Sequence, residues 1–351
     1  MASIAQAIRM ALHKAETQLG VEDIFGEDVG PPLGGVFTCT QGLTKSWNTP
    51  LDERGIIGMA IGLAMAGQKP VAEIQFCDYI FNTIDLLKLA GNTCWSSHGQ
   101  FPLQMVIMSP VGTGIHGSIY HSHSFESMAT HIPGLKVVLP SNPLDTYGLL
   151  ISAVKDPNPV LFLYPKALIR VQGSEKIPGE PLDPKELSSR IDAPIENRKS
   201  WSPDWPMLEE HEVEIGKASL LRKGSSLTVI SYARTLPLCV QAADQLKTQG
   251  HSIEVIDLRT LIPWDESLVY KSVQKTGRVL IVNEDTEVTN FGEHLLRKIN
   301  EHCFYFLQTP PKLLAGVNTP GIGLAWTLEQ SQVPQLQSIQ EHMKNLCELS
   351  A

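Results

Sequence analysis

Four histidines, His116, His121, His123 and His131, fall within 16 residues, where 11 in 351 would place about half of one. A His-x-His pair can ligate a metal, and an imidazole can carry a proton near neutral pH. Neither H-E-x-x-H nor a neighbouring cysteine completes a zinc set here. Any one of the four reads as a structural histidine; together, in a loop-rich segment, they point to a site around them. A second candidate is Thr49-Pro50-Leu51-Asp52-Glu53-Arg54-Gly55, which puts two carboxylates at a helix start. Asp52 suits the role of a first-turn acid complementing the helix dipole. Glu53 opens a helix that is apolar nearly all round (Ile56, Ile57, Met59, Ile61, Leu63, Met65), so its carboxyl should be desolvated and suited to proton transfer.

Gly112-Thr113-Gly114-Ile115-His116-Gly117 satisfies G-x-G-x-x-G directly after a predicted strand. Dinucleotide binding would also need a helix start there and an acid about 20 residues on. Lys136-Val137-Val138-Leu139-Pro140 follows with no acid at its end, which favours a glycine-rich turn. Phe25-Gly26-Glu27-Asp28-Val29-Gly30 closes the first predicted strand and alone suits any strand-to-turn junction. No Walker loop, G-x-S-x-G elbow or C-x-x-C pair occurs.

The elements that position these groups alternate. Strands are predicted over 23–25, 70–76, 103–108, 136–139 and 159–164. Helices are predicted over 53–66, 80–95 and 144–155, the last with Asn142 as N-cap and Pro143 at its first position. Helix 53–66 should be buried. Alternation with little period-2 patterning argues for a mostly parallel sheet covered on both faces. Residues 171–213 break the rhythm with Pro178, Pro181, Trp201, Pro203, Trp205 and Pro206, a long irregular connection. A second, smaller α/β domain follows, with strands over 227–233, 252–258 and 279–283 and helices to 246, over 265–276 and over 293–302. The expected division is 1–170, the connection 171–213, and 214–351.

At 351 residues the chain is long enough for about two cores. Its net charge of −9 argues against a nucleic-acid surface. No apolar run approaches the ~18 residues of a membrane span. Six dispersed cysteines suit reduced thiols in a reducing compartment. Arg9 and Lys14 precede any acid, as in a transit peptide, but Ile4, Ile8, Ala11, Leu12, Ala15 and Leu19 keep helical spacing up to Gly20, which reads as a folded first helix.

Taken together, Gly26-Glu27-Asp28-Val29-Gly30, Gly34-Gly35-Val36-Phe37, Leu51-Asp52-Glu53-Arg54-Gly55, Glu73-Ile74-Gln75-Phe76-Cys77-Asp78-Tyr79 and Tyr120-His121-Ser122 resemble one family. So do Pro133-Gly134-Leu135-Lys136, Asp156-Pro157-Asn158-Pro159, Ile256-Asp257-Leu258-Arg259-Thr260 and Pro263-Trp264-Asp265. The family is that of the beta subunits of the thiamine-diphosphate-dependent decarboxylating component of 2-oxo acid dehydrogenase complexes. The resemblance runs in order from about residue 3 to 345, and only 171–213 departs in length. It implies a transketolase-like α/β fold, with a pyrimidine-binding domain and a smaller C-terminal domain. It also implies an α2β2 heterotetramer whose alpha subunit holds the diphosphate and Mg2+ through G-D-G and a paired Asn. This chain contains neither motif, so it should carry half of an active site.

The resemblance assigns roles residue by residue. Glu53 matches the glutamate facing the aminopyrimidine ring nitrogen, whose hydrogen bond prepares the cofactor to lose its thiazolium carbon proton. Tyr79 matches the aromatic that stacks on the pyrimidine, and Leu51 the apolar residue beside it. His121 matches the histidine near the thiazolium, which handles the substrate carboxylate or a proton as the acyl group moves to lipoamide. A structural potassium would be held, largely by backbone carbonyls, at Val106, Ala153, Val154, Asp156 and Asn158. The implied partners are the alpha subunit, a lipoyl-bearing acyltransferase core and a 2-oxo acid, with no nucleic acid or membrane.

His123 and Phe125 depart from the family pattern, as does the acidic run Glu284-Asp285-Thr286-Glu287-Val288-Thr289-Asn290-Phe291-Gly292. Gln75-Phe76-Cys77-Asp78-Tyr79-Ile80 leans towards branched-chain substrates over pyruvate. The alternatives are an acetoin-cleaving relative, a non-catalytic assembly subunit of the same fold, or a nicotinamide-binding dehydrogenase built on residues 112–117.

Overall fold

The computed structural model describes residues 1–194, 196 and 201–349. The chain forms two compact units. The first comprises Met1–Pro110, His131–Tyr164 and Leu168–Ile215; the second comprises Val111–Thr130, Pro165–Ala167 and Gly216–Ala351. No helix among the described residues is long and apolar enough to cross a membrane.

In the first unit the apolar runs become strands β1 (Ile24–Gly26), β3 (Val71–Glu73), β4 (Val106–Val111), β5 (Lys136–Val138) and β6 (Val160–Pro165), joined by β2 (Ser46–Asn48). Their order is β5-β6-β4-β3-β1-β2. The pairs β1–β2, β1–β3, β3–β4 and β5–β6 are all parallel. Every residue of β1, β3, β4 and β6 is buried, as strands covered on both faces must be. The mostly parallel α/β architecture read from the sequence is therefore the one observed.

Helix Ile4–Gln18 begins at a capping box, in which Ser3 and Gln6 each satisfy the other's backbone N–H. The helix Pro143–Lys155 starts where Asn142 and Pro143 predict. Much of the 171–213 connection is tied to the first helix. It contains a helix, Pro184–Ile191, and buried Arg9 reaches the Ile191 carbonyl, Asp192 (3.0 Å) and the Thr38 carbonyl (3.0 Å). Trp205 stacks on His13 at 4.3 Å. These bonds satisfy a guanidinium whose burial would otherwise be costly.

One buried acid lies inside this core. Glu73, at the end of β3, is 2% exposed, and the Tyr164 hydroxyl donates to its Oε2 at 3.2 Å. Burial raises its carboxyl to about 7, and the Tyr164 hydrogen bond opposes that rise.

The second unit contains β7 (Ser219–Arg222), β8 (Leu227–Ser231), β9 (Ile253–Asp257), the short β10 (Thr260–Ile262), β11 (Val279–Thr286) and β12 (Lys312–Gly316). Five of these run in the order β12-β11-β8-β9-β7, with only the β7–β9 pair antiparallel. Helices Thr235–Lys247 and Leu336–Glu348 supply Leu236, Cys239, Leu246, Ile339, Met343 and Leu346 to its core, against Val229, Val255 and Val282.

The expected burial of helix 53–66 is not met. The helix Glu53–Met65 buries Ile56, Ile57, Ala60, Ile61 and Ala64, while Met59 and Met65 are 43% and 47% exposed. A Cβ on Gly58 or Gly62 would meet nothing within 4 Å. The apolar character that predicts an interior helix is real, but this chain covers only one side of it.

Candidate functional site

The ends of β1, β2 and β3 lie side by side, the position where open parallel sheets bind ligands. Gly26 makes this approach possible: a Cβ there would sit 2.3 Å from the Glu73 carbonyl oxygen. The loops beyond are tied together. The Gln75 amide donates to the Glu27 carbonyl (3.2 Å) and Asp28 Oδ2 (3.4 Å), and the Gly30 N–H donates to Asn48 Oδ1 (2.6 Å). The Thr49 N–H donates to the Gly26 carbonyl at 3.0 Å, fixing the segment that leads to Glu53.

Glu53 stands in the first turn of its helix and is half-buried. Its Oε2 accepts from Asn82 Nδ2 at 3.1 Å. Arg54 braces the same stretch, donating to the Asn82 carbonyl at 2.7 Å and to both Asp85 oxygens at 2.6 and 2.8 Å. Because the helix face is open, this chain alone does not give Glu53 the buried surroundings expected from the sequence.

The electrostatics bring Glu53, Glu27 and Tyr79 together. Partial burial, Asp28 and Glu53 raise the Glu27 carboxyl above its ordinary value. Burial raises the Tyr79 hydroxyl too, helped by Asp78, Glu27 and Glu53. The Tyr79 ring packs edge-on against Phe76 at 5.7 Å. Leu51, two residues before Glu53, is 70% exposed. A carboxylate pair, an aromatic ring and an uncovered leucine thus share one end of the sheet. Sequence reasoning alone missed Glu27, although it lies in a quoted motif, and Asn82, which no local pattern marks.

His121 ends the short helix Ser118–His121 of the second unit, with His116 and His123 in the same segment. His131 is exposed and belongs to the first unit. Among the described residues no three His, Cys, Asp or Glu side chains are grouped to hold a metal ion. The glycine-rich loop is also not free for a phosphate. The Thr113 N–H and hydroxyl donate to Glu284 Oε2 at 3.2 and 2.8 Å, and a Cβ on Gly112 would sit 2.0 Å from Glu284 Oε1. The protein's own carboxylate fills the cradle, which removes the nicotinamide reading.

Val106 opens β4, while Ala153 and Val154 lie in the last turn of helix Pro143–Lys155 and Asp156 and Asn158 follow it. The Ala153 carbonyl accepts from the Asp156 N–H (3.3 Å) and the Val154 carbonyl from Gln104 (2.8 Å). Asp156 Oδ1 accepts from the Asn158 N–H and amide, both at 2.9 Å, and its Oδ2 pairs with Lys136. Both Asp156 side-chain oxygens are therefore engaged within the protein.

Comparison with known proteins adds to this geometry. Residues 1–172 match the transketolase pyrimidine-binding domain, and residues 216–339 match the transketolase C-terminal domain. The chain is 38% identical over 326 residues to the 2-oxoisovalerate dehydrogenase subunit beta 2 of Arabidopsis thaliana (91% of this chain, 82% of that one). Against the 2-oxoisovalerate dehydrogenase subunit beta of Bacillus subtilis it is 34% identical over 354 residues (99% and 98%). The pyruvate dehydrogenase E1 component subunit beta of Acholeplasma laidlawii is 36% identical over 321 residues (90% and 88%). A split-gene transketolase, solved as an inactive beta4 tetramer, shares the fold over 100% of both chains, with TM-score 0.72 at 16% identity.

Proposed function

We propose, since this chain belongs to the family of 2-oxo acid dehydrogenase beta subunits built on transketolase pyrimidine-binding and C-terminal domains, that it supplies half of a thiamine-diphosphate site for oxidative decarboxylation of a branched-chain 2-oxo acid, followed by acyl transfer to a lipoyl group. The observation that carries this reading is the convergence of Glu53, Glu27 and Tyr79 at the strand ends, beside an apolar helix face that the chain leaves open.

This donor set suits an aminopyrimidine. Asn82 takes Glu53 Oε2, leaving Oε1 for a ring nitrogen. Glu53 holds or accepts the proton there, and burial together with Asp28 and Glu53 raises the neighbouring Glu27 carboxyl. Tyr79 and Leu51 offer an aromatic and an apolar surface to the ring. His121 moves a proton, or meets the substrate carboxylate, during acyl transfer. Thiamine diphosphate, when bound, supplies the electron sink for the decarboxylated carbon, while the protein supplies position and electrostatics.

An alpha subunit would contribute the diphosphate and Mg2+ site, in an α2β2 heterotetramer serving a lipoyl-bearing acyltransferase core. The uncovered Gly58, Met59, Gly62 and Met65 face supports such a partner. Carbonyls of Val106, Ala153, Val154, Asp156 and Asn158 would hold a structural potassium. The setting is the cytoplasm, or the mitochondrial matrix in a eukaryotic host.

The test is turnover by the chain co-purified with its alpha partner and loaded with thiamine diphosphate and Mg2+. We expect kcat/KM for 2-oxoisovalerate to exceed that for pyruvate by at least about tenfold, the worth of one or two methylenes in an apolar pocket. Preference for pyruvate would overturn the substrate class. Acetoin cleavage, or no turnover in a folded complex, would overturn the reaction.

A further inference from the structure

Helix Trp326–Gln332 carries a carboxylate whose placement the proposed chemistry does not explain. Glu329 is 0% exposed, and neither of its side-chain oxygens accepts a hydrogen bond among the described residues. Burying an ionisable group in this condition is unfavourable unless it finds a partner. Its partner is His116, whose Nδ1 lies 3.6 Å from Glu329 Oε1.

His116 is itself held in an uncommon backbone conformation, with φ +56°, and Ser118 has φ +54°. Non-glycine residues occupy this region at a cost, which surrounding contacts must offset. The next link is short. A Cβ on Gly117 would lie 2.3 Å from the Cβ of His121 and 2.9 Å from its carbonyl oxygen, so the chain just after His116 packs directly on His121. The segment around residue 322 adds a second tie, as the Ser118 hydroxyl donates to the Ile322 carbonyl at 3.4 Å. All of these residues belong to the second unit.

We infer that Glu329 and His116 are positioning residues for His121: the contact of buried Glu329 with the exposed His116 ring fixes the turn at 116–118, left-handed at His116 and Ser118, and the turn sets where the His121 imidazole stands. This rests on the role given to His121 above. Loss of the pair lets the turn relax, and a shift of about 1 Å in a proton-transferring group can cost about 10²-fold in rate.

The experiment uses the assembled complex with its alpha partner and measures two rates. One is decarboxylation read with ferricyanide as an artificial electron acceptor; the other is acyl transfer to lipoamide. Glu329→Gln strands His116 and His116→Asn strands Glu329, so either variant could lose stability. The double variant His116→Asn/Glu329→Gln replaces both partners of the contact and should recover most of the thermal stability, because neither side chain is left facing a removed partner. With His121 misplaced, the double variant should still transfer to lipoamide 10- to 100-fold more slowly, at a kcat cost with little change in KM, and decarboxylate within about threefold of the parent. Recovery of transfer together with stability would show a purely structural pair and overturn the inference. His121→Ala, measured in parallel, separates the two failures. If it slows transfer while the double variant does not, the inference alone falls. If it leaves transfer unchanged, the role of His121 falls and the inference with it.

Discussion

Glu53→Gln in the assembled enzyme lowers proton exchange at the reactive carbon of bound thiamine diphosphate by about 10²- to 10⁴-fold, the usual worth of a positioned acid–base group. The variant keeps the shape of the side chain. It also keeps an oxygen to accept from Asn82, which is braced by Arg54, so the geometry at the helix start survives. What it loses is the group that can exchange a proton. The structural cost is small. Glu53 is half-buried, and the one favourable term removed is a first-turn negative charge, worth about 0.3–1 kcal/mol. Exchange is read by deuterium washout from the cofactor, and stability by thermal melting. Near-normal exchange in a folded variant would contradict the role given to Glu53.

Glu73→Gln has its largest effect on stability, and the effect depends on pH. The buried Glu73 carboxyl titrates at about 7 in the folded protein, against 4.5 ordinarily. The folded state therefore keeps a proton that the unfolded chain has released. The stability linked to this proton is fully present below 4.5 and is lost as pH rises through about 7. At 1.36 kcal/mol per pH unit the loss is roughly 3 kcal/mol. Glutamine cannot ionise and can still accept from Tyr164. The variant should match the parent near pH 4.5 and exceed it by roughly 3 kcal/mol at pH 8, in guanidinium unfolding followed at both pH values. A difference that stays constant with pH would show that Glu73 ionises without penalty in the core.

The α/β architecture and the long runs of both units were legible because buried parallel strands and capped helices leave local signals. Val160–Pro165 is a continuous apolar run, and Asn142-Pro143 marks a helix start. Ser46–Asn48 and Lys312–Gly316 were not found, because short, partly exposed strands depend on their neighbours rather than on their own pattern. The helix Glu53–Met65 carried the opposite difficulty. Its composition describes a fully covered helix, whereas the covering is only half encoded in this chain. Within the candidate site, Glu53, Leu51 and Tyr79 were named from the family resemblance. Asn82 and the pairing of Glu27 with Glu53 emerge only from contacts between segments distant in sequence. His131 is close to His116 in sequence, but the chain passes from one unit to the other between them.

As half of a thiamine-diphosphate site, this chain should leave its own host bound to its partner, which native mass spectrometry of the tagged, purified chain reads. The expected species is a heterotetramer of two copies of this chain with two of a G-D-G-bearing partner, carrying the added mass of thiamine diphosphate. A homo-oligomer without cofactor, from cells that contain both, would contradict it and mean that the fold was retained without the chemistry.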